Sequence, residues 1–331
     1  MKKIFTAGLT AALIFGVSAT TFAEYDADRH SIGKFSWSAS LKASFTHKRP
    51  NSTDSHKYQI YLEPEYQFDE HLSLNGYMEF YGDYKKSRNE TPLLYVTGEY
   101  APWEFNVGII PFYTNEGGLI FNTGMLGAEV DWGDDFCVSL YGGKIKDDEI
   151  IHRRNGTFEY EDMDTNIFGV NVQYDTSDVG LYGGAGYYYL KDDKFRNLDY
   201  SRDGATNKAE IWSTNAGYRF TKKLGVFAAY AENTKAEPRE YLWQGVISYG
   251  KCGSYPRQGD WNVSAGYQRY GTNISLQGTD EDVMPGARGW NVSAKYAPFS
   301  NVVVSANYFN GKLISSRKET EKITGAVRIY F

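Results

Sequence analysis

The chain has 331 residues, of which 16% are aromatic, and its 41 acidic residues outnumber 35 basic ones. This acidic balance argues against nucleic-acid binding, and two cysteines, Cys137 and Cys252, do not make a disulfide framework. The mean hydropathy of −0.52 resembles that of a soluble protein, and beyond the N-terminus no stretch approaches the roughly 20 apolar residues of a membrane helix.

The N-terminus has the pattern of a secretory signal peptide. Lys2 and Lys3 precede an apolar run over residues 4–17, and small residues follow at 19–23. We predict a signal peptide over 1–23, cut after Ala23, with a cut after Ala19 or a retained anchor helix as alternatives. Residues 24–331 then form one domain. Without Lys2 and Lys3, 33 basic residues stand against 41 acidic ones, a net charge of −8.

The next clear element is a strand over residues 34–45. Phe35, Trp37, Ala39, Leu41, Ala43 and Phe45 alternate with lysine and serine, a strict period of two. Similar alternation continues along the chain, and it predicts strands at 34–45, 58–68, 72–81, 93–101, 103–110, 125–132, 136–146, 164–175, 179–191, 208–220, 224–232, 240–250, 260–270, 289–297, 301–310 and 321–331.

The connections between these strands alternate between short and long, which is typical of transmembrane β-barrels with short periplasmic turns and long extracellular loops. A barrel also resolves the low hydropathy, because each strand needs apolar residues only on its outward face. The sequence therefore predicts an all-β, antiparallel up-and-down transmembrane barrel of sixteen strands, with fourteen or eighteen as alternatives. Its last strand ends on Phe331, in parity with Ile323, Val327 and Ile329.

With its signal peptide, alternating strands and terminal Phe331, the mature chain resembles the general bacterial porins. The resemblance implies a location in the bacterial outer membrane, a water-filled lumen, a homotrimer, and recognition of Phe331 by the barrel assembly machinery. It also implies that the third long connection folds inward and narrows the pore.

That third connection, residues 111–124, suits such a role because it is rich in bulky apolar side chains that solvent would not favour. An extracellular hairpin or a subunit contact is the alternative. Gly117 and Gly118 would permit a sharp backbone turn. The predicted constriction residues are Phe112, Tyr113, Glu116, Gly117, Gly118 and Phe121.

Charge preference in such a pore depends on the lumen side chains, because a low-dielectric wall focuses their field. Strand parity predicts inward positions for Lys42, Lys57, Glu63, Glu65, Glu79, Glu99, Glu129, Arg219, Lys295 and Arg328. In general porins, acids on the loop face bases on the early and last strands, and Lys42, Lys57 and Arg328 occupy analogous strands.

The function predicted from the sequence is passive diffusion of small hydrophilic solutes and ions. A channel specific for oligosaccharides is the first alternative, with an aromatic track of Tyr61, Tyr77, Tyr81, Tyr95 and Tyr141; a surface receptor or adhesion barrel is the second. His152 near Asp147 is the best candidate for catalysis, but no enzyme motif accompanies it. We therefore predict no enzymatic activity, no cofactor and no metal site, and membrane lipid as a partner.

Overall fold

The structure is a computed structural model, and it describes residues 30–32, 34–49, 53–82, 87–89, 92–114, 119–154, 157–176, 179–193, 207–236, 240–271, 273–274 and 284–331. The predicted signal peptide lies outside this part of the chain. Among these residues the strands are β1 (His30–Ile32), β2 (Phe35–Arg49), β3 (Thr53–Gln67), β4 (Leu72–Gly82), β5 (Ser87–Asn89), β6 (Leu93–Tyr100), β7 (Trp103–Tyr113), β8 (Asn122–Gly133), β9 (Phe136–Arg154), β10 (Thr157–Tyr174), β11 (Gly180–Lys191), β12 (Lys208–Arg219), β13 (Leu224–Asn233), β14 (Glu240–Lys251), β15 (Trp261–Tyr270), β16 (Ala287–Phe299), β17 (Val302–Leu313) and β18 (Glu319–Tyr330).

The sheet closes on itself between the last long strand and the first. β18 pairs antiparallel with β2, and the Phe331 N–H donates to the Ala39 carbonyl at 2.8 Å just beyond that ladder. Closure leaves no edge with unpaired backbone groups facing lipid. Phe331 thus lies at the seam of the barrel.

The wall of the barrel consists of sixteen strands, as predicted. β1 pairs with the beginning of β2, and β5 pairs with the end of β4 in line with β6, so these two short segments add no wall strand. Every predicted strand corresponds to one of the sixteen. No helix in the described ranges is long and apolar enough to cross a membrane.

One predicted connection differs from the structure. The sequence predicts a long loop over residues 147–163, whereas β9 continues to Arg154 and β10 begins at Thr157. This hairpin carries polar residues on both parities, and a strand outside the membrane needs no apolar face. Its sequence therefore lacks the alternation that reveals the other strands.

Two belts of exposed aromatic rings circle the outward face. The belt beside the short turns contains Tyr66, Phe68, Tyr100, Trp103, Trp132, Phe136, Tyr174, Tyr218, Phe220, Tyr249, Trp261, Tyr296 and Phe299. The belt near the long connections contains Phe45, Tyr58, Tyr113, Phe168, Trp212, Tyr230, Trp243, Trp290 and Tyr308. Because aromatic rings favour the two membrane interfaces, the belts mark the levels at which the barrel meets the lipid head groups.

The short turns are held by side-chain caps. In the turn between β3 and β4, the Asp69 carboxylate accepts the backbone N–H groups of His71 at 2.8 Å and Leu72 at 2.9 Å. These hydrogen bonds lower the pKa of Asp69 below its ordinary value because they favour the ionised form. The turn is therefore well defined where the chain reverses.

Candidate functional site: the lumen

The described ends of the connection between β7 and β8 are buried in the barrel interior. Leu119, Ile120 and Phe121 are 4%, 0% and 1% exposed, and Phe112 at the end of β7 is 1% exposed. The Phe112 and Phe121 rings lie 5.1 Å apart, and the Thr114 N–H donates to the Phe121 carbonyl at 3.1 Å. The two ends of this connection thus lie close together, with their bulky side chains buried.

The segment 119–121, here called the inward segment, packs against a wide stretch of the inner wall. Phe121 contacts the Tyr188 ring at 5.4 Å, and Phe112 contacts the Tyr141 ring at 5.1 Å. The Tyr270 hydroxyl, at the end of β15, donates to the Leu119 carbonyl. Since β7 and β15 are eight strands apart along the wall, the inward segment bridges the interior.

Together these residues form one apolar cluster inside the barrel. Its buried members are Ile110, Phe112, Leu119, Ile120, Phe121, Met125, Tyr141, Ile145, Ile167, Tyr188, Leu190, Ala209, Ile211, Ala231, Leu242, Tyr270 and Ile274. They come from the inner faces of β7 to β15 and from the segments that follow β7 and β15. At the level nearer the long connections, this side of the lumen is filled by protein.

The predicted constriction residues have different positions in the structure. Phe112 and Phe121 belong to the apolar cluster, whereas Glu116, Gly117 and Gly118 lie outside the described residues. Tyr113 was placed wrongly: it is 54% exposed and lies in the outer aromatic belt. β7 extends through Tyr113, so strict alternation directs it away from its neighbour Phe112.

The opposite side of the inner wall, formed by β18, β2, β3 and β4, is polar. Arg328 lies directly across from Lys42, and its guanidinium stacks over the Tyr61 ring at 4.4 Å. Glu79 is 9% exposed and accepts hydrogen bonds from Gln59 at 2.7 Å and Tyr77 at 3.2 Å. These neighbours fix both charged side chains against the wall.

The other predicted lumen charges lie near the rims of the interior or along this polar side. Glu63 accepts from Ser38 at 2.8 Å, and Glu65 accepts from Ser36 at 3.5 Å. Lys57 and Lys295 are exposed and lie across from Ser44 and Asn262, respectively. Arg219 is part of a two-pronged ion pair with Asp175, at 2.6 and 2.7 Å.

An acidic ladder lies on the inner wall beside the short turns. Glu99, Glu104 and Asp131 are direct cross-strand neighbours on β6, β7 and β8, and Glu129 precedes Asp131 by two residues on β8. Like charges directly opposite one another repel, so the ladder attracts mobile cations from the solvent.

The sequence prediction included Glu99 and Glu129 but missed Glu104 and Asp131. Each lies beside an outward tryptophan of the belt, Trp103 or Trp132. Strict alternation from that tryptophan would have placed both carboxylates in the lumen.

The residues of the predicted aromatic track differ in exposure. Tyr141 is 5% exposed within the apolar cluster, and Tyr61 is 7% exposed beneath Arg328. Tyr95 packs against the same cluster, and Tyr77 lies 6.0 Å from Tyr61. Tyr61 and Tyr141 therefore pack the wall, whereas Tyr77 and Tyr95 are partly exposed and line one cavity.

Neither a protein-family model nor a curated protein sequence matches the chain. Solved structures do. OmpF of Salmonella typhi in complex with daunomycin is 16% identical, with a TM-score of 0.59, and the alignment covers 92% of this chain and 100% of that one. A double mutant of the porin of Rh. blastica is 11% identical, with a TM-score of 0.57 and coverage of 90% and 100%. At these identities the likeness shows the fold alone, and the chain has the sixteen-stranded architecture of the general porins.

Proposed function

We propose that this protein is an outer-membrane porin that allows small hydrophilic solutes and ions to diffuse passively through a water-filled lumen. The observation that carries the proposal is the division of the inner wall. The inward segment and its apolar cluster fill the side from β7 to β15, and a polar wall with Arg328, Lys42 and Glu79 faces them. Side chains alone cannot fill a barrel of sixteen strands, so solvent occupies the remaining cross-section.

The proposed route for solutes runs along the polar side and past the acidic ladder. Arg328 and Lys42 lie on β18 and β2, while Glu99, Glu104 and Asp131 lie on β6 to β8. Glu63, Glu65 and Glu79 lie on the same wall as the two bases, so the excess of negative charge lies at the mouth formed by β6 to β8, and such an acidic mouth concentrates cations. We propose a modest preference for cations.

Export, assembly and oligomeric state complete the proposal. Residues 1–23 would direct the chain out of the cytoplasm, and the assembly machinery would read Phe331 at the barrel seam. The outward small residues Ala39, Ala43 and Gly325 lie near that seam, and a Cβ at Gly325 would meet no atom within 4 Å. Such a surface suits close packing between subunits, and we propose a homotrimer surrounded by membrane lipid. Neither enzymatic activity nor a cofactor is part of the proposal.

The experiment that tests the pore is a conductance measurement on the refolded protein. In planar bilayers we expect stepwise current increases, and in a salt gradient a reversal potential whose sign indicates cation preference. Folded, inserted protein without any open-channel current would contradict the proposal. Saturable block by one sugar would instead favour the oligosaccharide channel, which the burial of Tyr61 and Tyr141 does not support.

A further inference from the structure

Three basic residues form a second ladder, on the outside of the barrel. Arg269, Arg288 and Lys312 are direct cross-strand neighbours on β15, β16 and β17, near the long connections. Arg269 follows Tyr267 by two residues, and Arg288 precedes Trp290 by two. Both arginines are therefore the next outward residues after these aromatic rings, on the side of the long connections. The basic ladder therefore lies at the level where lipid head groups surround the barrel.

Three other cations of this rim have acidic partners, unlike the members of the basic ladder in the part of the chain that the structure describes. Lys144 pairs with Asp164 at 3.2 Å, Lys235 with Glu210 at 3.3 Å, and Arg49 with Glu321 at 3.7 Å.

Glu319 lies across from Lys312 in the sheet. However, among the described residues no carboxylate forms an ion pair with a member of the basic ladder. Three like charges in register are unfavourable unless an outside anion compensates them.

The ladder also rests on a preformed apolar platform. Trp243 stacks with Tyr267 at 5.4 Å, and Trp290 meets Tyr267 edge-on at 5.2 Å. Trp290 is 61% exposed, so its ring offers an apolar face to a neighbouring acyl chain. Arg269 is held in place because it stacks over the Tyr241 ring at 3.6 Å and donates to the Tyr241 carbonyl at 2.6 Å.

From these observations we propose that the basic ladder binds the phosphate groups of a membrane lipid, with the acyl chains on the aromatic platform below. Arginine and lysine are the side chains that recognise phosphate, and arginine can do so with two parallel hydrogen bonds. The platform favours a lipid over a free phosphate ion, because it offers the acyl chains a contact that the ion cannot use. This site goes beyond the proposed pore, since it lies on the outer face.

The test measures lipid binding to the refolded mature protein in detergent by native mass spectrometry. The probe is a diphosphorylated glycolipid, and its dephosphorylated form and inorganic phosphate serve as comparison ligands. The double variant Arg288→Gln/Lys312→Gln should bind the phosphorylated lipid about tenfold or more weakly, because each basic residue near a membrane surface contributes appreciably to anionic lipid binding.

The matched control carries the same change of charge at the opposite rim. Lys223→Gln/Lys251→Gln alters two exposed residues beside the short turns and should bind the lipid as the parent protein does. Arg288→Lys/Lys312→Arg preserves both charges and should retain binding. All variants should show the parent's conductance, which verifies folding and separates this test from that of the pore.

Three results would overturn the proposal. Equal losses in the ladder variant and the control would show that binding follows total charge rather than this site. Equal binding of the dephosphorylated lipid would remove the role of phosphate. Competition by inorganic phosphate at the same concentration as the lipid would identify a free-anion site.

Discussion

The two sides of the inner wall are built on the same backbone pattern and yet differ in chemistry. On β9 to β12 the inward residues include Tyr141, Ile145, Ile167, Leu190 and Ile211, all buried. On β18, β2 and β3 they are mostly serine, threonine, lysine, glutamine, glutamate and arginine, with only Tyr61, Ala326 and Tyr330 of other types. The difference shows that the lumen side of a barrel strand is apolar where another part of the chain covers it and polar where water remains.

The largest expected effect on the difference between the two sides comes from removing the connection that covers the apolar cluster. Deletion of residues 115–122 would uncover the apolar cluster and enlarge the open cross-section, so we expect single-channel conductance to rise several-fold. Planar bilayer recordings measure this directly. An unchanged conductance in a folded deletion variant would show that the connection does not limit the pore. Tyr113→Ala is a suitable control, because Tyr113 belongs to the outer belt.

A single substitution weakens the same packing without shortening the chain. Phe121→Ala removes a buried ring between Phe112 and Tyr188, and truncation of a buried phenylalanine costs about 3–5 kcal/mol of folding free energy. Because the inward segment can detach while the wall stays intact, part of this loss should take the form of larger current fluctuations.

Denaturant unfolding in micelles and open-channel noise are the two measurements for Phe121→Ala, with Tyr113→Ala again as the matched aromatic control. We expect the unfolding midpoint to fall and the noise to increase relative to that control. If the two variants had equal noise and equal midpoints, Phe121 would not anchor the segment.

The acidic ladder tests how the charge of the lumen wall sets cation preference. Glu104→Gln/Asp131→Asn leaves the shape of the mouth intact and removes two of its negative charges, so the cation preference should decrease. The reversal potential in a salt gradient should move towards zero, and the barrel should be as stable as before or slightly more stable, since repulsion between neighbours is relieved.

The matched control for the ladder variant is Asp134→Asn/Asp135→Asn. These two exposed acids lie in the adjacent turn between β8 and β9, outside the wall. An equal shift of the reversal potential in both variants would mean that total charge, rather than the lumen ladder, sets the selectivity.

The sequence predicted the fold well because alternation records which side of each strand meets lipid. Outward residues such as Trp37, Leu41 and Val327 must be apolar, and that requirement repeats in every strand within the membrane. The hairpin of β9 and β10 beyond residue 146 was missed because it extends outside the membrane, where outward residues need not be apolar.

The site was harder to predict than the wall. The apolar composition of residues 111–124 predicted Phe112 and Phe121 as interior residues, but nothing local indicated Tyr270 as the partner of Leu119. That contact joins residues 151 positions apart in the chain. It depends on the path of the connection across the lumen, which strand periodicity does not encode.

The smallest expected effect comes from the polar side. Arg328→Gln removes one of the lumen bases, so cation preference should increase, the reverse of the ladder variant. The shift should be smaller, because Arg328 is stacked over Tyr61 and has Lys42 beside it, which still contributes a positive charge. Lys251→Gln, at an exposed residue on the outward face beside the short turns, removes the same charge without altering the lumen and should leave the reversal potential nearly unchanged. A shift in the same direction as that of Glu104→Gln/Asp131→Asn would mean that Arg328 and the acidic ladder do not act as opposed charges in selectivity.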